Sequence, residues 1–337
     1  MKLASLKHGR DGKLIVVKSD LSKYADATAI APTLQAALDE WDVCAPQLRA
    51  LAEALESGKE AGKAYDAAQC ASPLPRAYQV ADGSAYLSHV RLTRKSRGAE
   101  MPPEFEHDPL MYQGVSSTII GPMEPVPVSS EDFGIDYEAE VAIITDDVPM
   151  GVTAEDALDH IALVFLMNDV SLRQLVPAEL AKGFGFFQAK PPSSFSPVAV
   201  TPDALGKAWQ GGKVHLPILS FLNGKAMGHP HAGNGMQFHF GQLIAHAAKT
   251  RPLCAGTIIG SGTVSNEDLS VGVSCLIERR MREKLDTGES TTPFLKYGDV
   301  VRIEMKDDKG ASIFGAIEQK IALYTYRAAD NRKKAAS

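Results

Sequence analysis

The chain of 337 residues is poor in cysteine, with only Cys44, Cys70, Cys254 and Cys275, and no two of them form a C-x-x-C pair. That spacing offers neither a thiolate zinc site nor a redox dithiol, and the four read as small buried hydrophobes of a reducing compartment. No apolar run reaches the ~18 residues that a membrane span needs. The opening Met1-Lys2-Leu3-Ala4-Ser5-Leu6-Lys7-His8 lacks the apolar region of a signal peptide, so a cytoplasmic location is the default expectation. Basic residues are not in excess: 35 Lys and Arg stand against 41 Asp and Glu, a net charge of −6. Such a surface has no field for a polyanion, so neither nucleic acid nor a membrane is expected as a partner.

Several catalytic signatures are missing too. There is no G-x-x-x-x-G-K-[ST], no G-x-S-x-G and no H-E-x-x-H, and Gly183-Phe184-Gly185 and Gly233-Asn234-Gly235 lack the third glycine of a dinucleotide fingerprint. His229-Pro230-His231 lies in a glycine-rich stretch and reads as a turn.

What is present is a hydrophobic content of 45%, enough for a sizeable core. Lys2–Leu6 and Lys13–Val17 read as a hairpin around His8-Gly9-Arg10-Asp11-Gly12. Thr33 to Ser57 has helical spacing, with a break or kink expected at Pro46. A boundary is placed near residue 75, in Ser72-Pro73-Leu74-Pro75. Beyond it, helices are expected over Thr153–Met167 and Asn234–Lys249. Strands are expected over Ser117–Ile120, Ile135–Thr145, Val214–Phe221, Thr257–Gly260, Leu276–Met281, Val300–Met305 and Ile317–Tyr326. Strands with few crossover helices imply an α+β, mostly β fold with appended helices.

The most informative stretch is Ile135-Asp136-Tyr137-Glu138-Ala139-Glu140-Val141. In a strand, Asp136, Glu138 and Glu140 share one face. Three acids in a row need water or a counter-charge, and a divalent cation with oxygen ligands supplies one. Asn168-Asp169-Val170-Ser171-Leu172-Arg173 follows an apolar segment, where a buried carboxylate again needs a partner.

The Glu-x-Glu strand followed by Asn-Asp-x-Ser-x-Arg resembles the metal site of the fumarylacetoacetate hydrolase family. Further segments resemble that family in order: Phe187-Gln188-Ala189-Lys190, Gly260-Ser261-Gly262-Thr263-Val264-Ser265 and Leu295-Lys296-Tyr297-Gly298-Asp299. The resemblance implies a fumarylacetoacetate-hydrolase-like β-roll at 76–330 and a small N-terminal domain at 1–75, while the charged tail at 331–337 is expected to be frayed. It also implies metal ligands at Glu138, Glu140 and Asp169, with Asp82 as a further candidate, for Mg²⁺ or Ca²⁺ and also Mn²⁺. His89 is then the general base, paired with Glu278, while Lys190 and Arg97 stabilise the leaving group. Tyr86, Tyr112, Arg173 and Thr263 become the substrate-binding residues. The family further implies a homodimer acting on a small β-diketo acid, foremost fumarylacetoacetate from aromatic amino-acid catabolism. Acylpyruvate hydrolysis, oxo-acid decarboxylation and dienoate isomerisation are alternatives on the same scaffold. A catalytically silent binding protein is a third class, which the retention of His89 and Lys190 beside the acids disfavours.

Overall fold

The computed structural model describes residues 1–95 and 100–326, so Arg97 and the tail 331–337 lie outside the described residues. Lys2–Leu6 and Lys13–Val17 pair antiparallel, Leu3 opposite Val16 and Ser5 opposite Leu14. Gly12, with φ 70°, occupies the left-handed region that their tight turn requires.

Among the described residues this hairpin forms one side of an 11-stranded sheet. From one edge, the order is Lys63–Ala64, Lys23–Asp26, Lys13–Val17, Lys2–Leu6, Ala199–Val200, Ile161–Asn168, Ala139–Thr145, Ile258–Gly260, Val80–Gly83 and Met111–Gln113. Ser194–Phe195 pairs with Ile161–Asn168 off this path. The N-terminal residues therefore extend the same sheet that carries the acids, through Lys2 opposite Val200. A second sheet of five strands runs Lys225–Gly228, Ile218–Leu222, Val300–Met305, Ile317–Leu323 and Val126–Val128. The result is an α+β, mostly β architecture, and no helix among the described residues is long and apolar enough to cross a membrane.

Several local expectations are corrected. Instead of a helix over Thr153–Met167, a short 3-10 turn at Asp156–His160 leads into the Ile161–Asn168 strand. That strand is buried along its whole length because neighbours flank it and both its faces are covered. An apolar run with no polar face carries no alternation, so its period cannot separate strand from helix.

The opposite error occurs at Leu276–Met281, expected as a strand and observed as the start of the Leu276–Thr287 helix. Its first amides are capped from far away: the Asp136 carboxylate accepts from Leu276 N at 2.7 Å and Ile277 N at 2.9 Å. A cap lent by a residue so distant in sequence leaves no local signal. Near the N-terminus, the chain forms Leu34–Asp39 and Trp41–Glu56, breaking at Glu40 while Pro46 is carried inside the second helix. The Asn234–Lys249 helix shortens to Phe240–Ala247, and Ser117–Ile120 retains only an isolated bridge from Ile120 to Ser194. Cys44, Cys70 and Cys275 are buried free thiols, but Cys254 is exposed.

Candidate metal centre and catalytic pocket

Three adjacent strands of the large sheet bring the acids together. Ile258–Gly260 lies between Ala139–Thr145 and Val80–Gly83, with Gly260 opposite both Ala142 and Asp82. Glu140 enters from one neighbour and Asp82 from the other. Asp169 follows the end of Ile161–Asn168, and its backbone N–H donates to the Glu138 carbonyl at 3.0 Å. Carboxylate oxygens of Asp82, Glu140 and Asp169 lie within 4.8 Å of one another, and all three residues are buried.

The glycine opposite Asp82 is a spatial requirement. A Cβ on Gly260 would stand 2.2 Å from Asp82 Oδ1 and 3.1 Å from Glu140 Oε2, filling the space between the acids. Gly262 N donates to Asp82 Oδ1 at 3.1 Å and fixes that side chain.

Electrostatics sorts the acids into two groups. Burial first, then the Asp169 charge, pushes Asp82 up to about 8. Burial followed by the Asp82 and Asp169 charges holds Glu140 well above the usual carboxylate range. Both Glu140 oxygens are buried without a hydrogen-bond partner among the described residues. Burying these acids together disfavours three negative charges, and an oxygen-ligated divalent cation would supply the missing counter-charge. The donor set therefore fits such an ion.

Glu138 behaves differently. Its Oε1 accepts from Arg173 Nη2 at 2.6 Å, and its Oε2 from Lys190 Nζ at 2.5 Å and the Ser171 hydroxyl at 3.3 Å. Burial alone would raise its pKa, but Arg173 and Lys190 outweigh that and hold it well below the ordinary value. The row Asp136, Glu138 and Glu140 is thus buried throughout, and its members differ in how they are satisfied. Asp136 caps a helix and binds Arg173 Nε at 2.9 Å, Glu138 binds two cations, and Glu140 has neither.

Lys190 sits between the two groups. Its ammonium bonds Glu138 and Asp169, and although burial lowers its pKa, those carboxylates more than restore it. The segment leading to it is fixed by Glu179, whose carboxylate accepts from the amides of Phe187, Gln188 and Ala189 at 2.9, 2.6 and 3.0 Å. Asp169 is further steadied by the Tyr112 phenol, 2.8 Å from both its oxygens, and the Ser193 hydroxyl at 2.9 Å. Neither Glu179 nor Ser193 was marked by the sequence, since a loop anchor and a single hydroxyl have no spacing signature.

Across the cavity, His89 lies on the Leu87–Lys95 helix, and its Nδ1 is 2.8 Å from Glu278 Oε1. Glu278 is fully buried in the first turn of the Leu276–Thr287 helix. Cys275 completes a second group of possible metal donors with His89 and Glu278. Burial and then the Glu278 charge push its thiol well above the ordinary value, so it stays protonated and makes a poor ligand. This group reads better as an oriented histidine.

His89, Asp82, Glu140, Glu138, Lys190, Arg173, Tyr112 and Thr263 all line one cavity of about 410 Å³, with Asp169 behind them against Lys190 and Tyr112. Tyr86 does not line it: its hydroxyl donates to the Ala232 carbonyl at 2.6 Å in the core, so the expectation of substrate contact there is corrected to a fold-holding role. Arg173 and Tyr112, expected on the substrate, spend their polar groups on Asp136, Glu138 and Asp169.

The fold and pocket define a class of proteins with a carboxylate-rich centre facing an oriented histidine. The family model described as "Fumarylacetoacetate (FAA) hydrolase C-terminal" matches residues 79–322, and "Fumarylacetoacetase N-terminal domain 2" matches residues 1–76. The chain belongs to the fumarylacetoacetate hydrolase family, whose named members are enzymes.

Among its relatives is the mitochondrial oxaloacetate tautomerase fahd2 of Xenopus laevis, 29% identical over 60% of this chain and 56% of that protein. The chain thus matches little more than half the length of that relative. A 2,4-didehydro-3-deoxy-L-rhamnonate hydrolase of Sphingomonas sp. (strain SKA58) is 26% identical over 56% of this chain and 64% of that one. The fold is shared with the maleylpyruvate hydrolase of Sphingobium sp. SYK-6, solved in complex with manganese(II) ion and pyruvate. That structure has a TM-score of 0.63 at 18% identity, covering 96% of this chain and 100% of that one.

Proposed function

We propose that the chain is a divalent-cation-dependent hydrolase that cleaves a carbon–carbon bond in a small β-diketo acid, with fumarylacetoacetate, split to fumarate and acetoacetate, as the leading substrate. The observation that carries this reading is that His89, whose Nδ1 is 2.8 Å from Glu278, lines the same cavity as Asp82 and Glu140, whose carboxylate oxygens lie within 4.8 Å of those of Asp169. These three carboxylates would hold Mg²⁺, Ca²⁺ or Mn²⁺, with Glu138 beside them. Support for a metal also comes from the manganese and pyruvate in the Sphingobium hydrolase of the same fold. When bound, such an ion supplies Lewis-acid polarisation of a chelated carbonyl.

The chain's own groups do the rest. With Glu278 accepting a hydrogen bond from His89 Nδ1, the other ring nitrogen, Nε2, is the one that can take a proton from water. The water oxygen attacks the carbonyl carbon, the bond to the neighbouring methylene carbon breaks, and the departing carbon takes back the proton that His89 removed from water. Lys190, held by Glu138 and Asp169, places positive charge beside the cavity where the departing carbanion develops its own charge. Glu138 and Arg173 keep that ammonium in position. Thr263 offers a hydroxyl at the cavity wall.

A second reading, tautomerisation of an oxo acid, is favoured by the name of the Xenopus relative and would use the same base without the attack of water. Incubation with fumarylacetoacetate, acylpyruvates and oxaloacetate, with and without EDTA, separates the two. The hydrolase reading expects two carboxylic products from a β-diketo acid and loss of turnover on chelation. Enol–keto exchange of oxaloacetate with no cleavage of any diketo acid would overturn it.

A further inference from the structure

We propose that Arg282 is a positioning residue for the base: it keeps the negative charge on Glu278, and so keeps the proton of neutral His89 on Nδ1 and leaves Nε2 able to accept one. This rests on the reading of His89 as the base and deepens it by naming what sets that base's tautomer.

Glu278 is fully buried, and its Oε1 is 2.8 Å from His89 Nδ1. A neutral imidazole brings no charge, and a carboxylate buried among neutral groups alone is costly. The other groups around Glu278 supply no counter-charge. The Cys275 thiol stays protonated, because burial and then the Glu278 charge push it well above its ordinary value. The Tyr137 phenol, pushed up by burial first, donates to Ser220 Oγ at 3.2 Å. Arg173 is committed to Asp136 and Glu138. Even the positive end of the Leu276–Thr287 helix is taken, since the Asp136 carboxylate accepts from its first amides, those of Leu276 and Ile277.

Arg282 supplies that charge. It stands one turn beyond Glu278 on the same helix face, with Nη2 3.6 Å from Glu278 Oε2. The separation is that of an ion pair rather than a hydrogen bond, and the Arg282 side chain is only 15% exposed, so water screens the pair little. Its Nη1 donates to the Gly272 carbonyl at 3.2 Å, which tethers the guanidinium in place. A guanidinium is charged in any working buffer, so this counter-charge persists when His89 is neutral. Without it, a neutral Glu278 would carry its own proton and donate it to His89 Nδ1. The imidazole proton would then sit on Nε2, and the ring could not take a proton from water.

The test reads the tautomer directly. The full chain is labelled with nitrogen-15 in histidine and its spectra are recorded at about pH 8, above the ordinary imidazole range, with the His89 signals assigned by their loss in His89→Gln. The expected result is a protonated Nδ1 and a bare Nε2 in the wild type and in Arg282→Lys, and the reverse in Arg282→Met. Arg282→Gln, which keeps a donor for the Gly272 carbonyl, should invert the tautomer as well, which separates the charge from the tether. The wild-type tautomer in both neutral variants, or a bare Nδ1 in the wild type, would overturn the proposal. Kinetics in Mg²⁺ give a second readout. In the neutral variants kcat should fall on the order of tenfold or more with KM and cation affinity unchanged, Arg282→Lys should recover most of it, and Arg282→Gln added to Glu278→Gln should cost nothing further. An equal loss in both backgrounds would mark a structural brace and contradict the proposal. If no substrate is turned over, the reading of His89 as the base fails separately, and the nitrogen-15 spectra still decide whether Arg282 sets the tautomer.

Discussion

At the scale of single residues, the site divides its labour by charge. Glu138 is neutralised by Arg173 and Lys190, whereas Glu140 has no hydrogen-bond partner among the described residues and is pushed toward protonation by burial and then by its acidic neighbours. His89 touches neither group directly and takes its orientation from Glu278. Removing the imidazole should therefore cost catalysis without costing the cation. His89→Ala is expected to lower kcat on the order of 10²-fold, the usual worth of a positioned base, with cation affinity nearly intact. Glu278→Gln should act in the same direction, because the amide cannot support an imidazolium as a carboxylate does. Steady-state kinetics beside a cation titration checks this, and wild-type kcat in His89→Ala would remove His89 from the mechanism.

At the scale of elements, the centre depends on how closely three strands approach. Gly260 permits Asp82 and Glu140 to converge from either side, and an added methyl at 2.2 Å from Asp82 Oδ1 must push that carboxylate away. Gly260→Ala is expected to weaken cation binding by an order of magnitude or more, the scale on which distorted metal geometry is felt. Its far-ultraviolet circular dichroism should remain that of the wild type. Unchanged affinity in a folded variant would show that the spacing is not critical.

The same elements show what the sequence made legible. The alternation of Asp136, Glu138 and Glu140 was visible because one face of a strand was uniformly acidic, and Val300–Met305 is observed as expected. Asp82 was only a turn-like acid in the sequence. Its closeness to Glu140 comes from the parallel pairing of Val80–Gly83 with Ile258–Gly260, a contact between segments far apart in the chain. The Ile161–Asn168 strand and the Glu278 helix were misread for physical reasons. The first has no polar face to show a period, and the second takes its cap from Asp136.

For the whole molecule, the large sheet runs from the N-terminal hairpin through the three strands that carry the acids, so the centre is built into the core rather than set on loops. Burying Asp82, Glu140 and Asp169 together without a counter-ion opposes folding, and a bound cation reverses that cost. At a concentration a hundredfold above its dissociation constant, a cation binding only the native state adds about 2.7 kcal/mol of stability. The function of the site therefore depends on cation binding by this trio. The most direct measurement is calorimetric titration of chelator-stripped wild type and Glu140→Gln with Mn²⁺. The expected result is binding of about one ion per chain in the wild type and loss of that binding in the variant. Equal binding in both proteins, or no binding by the wild type, would contradict the assignment of the metal centre.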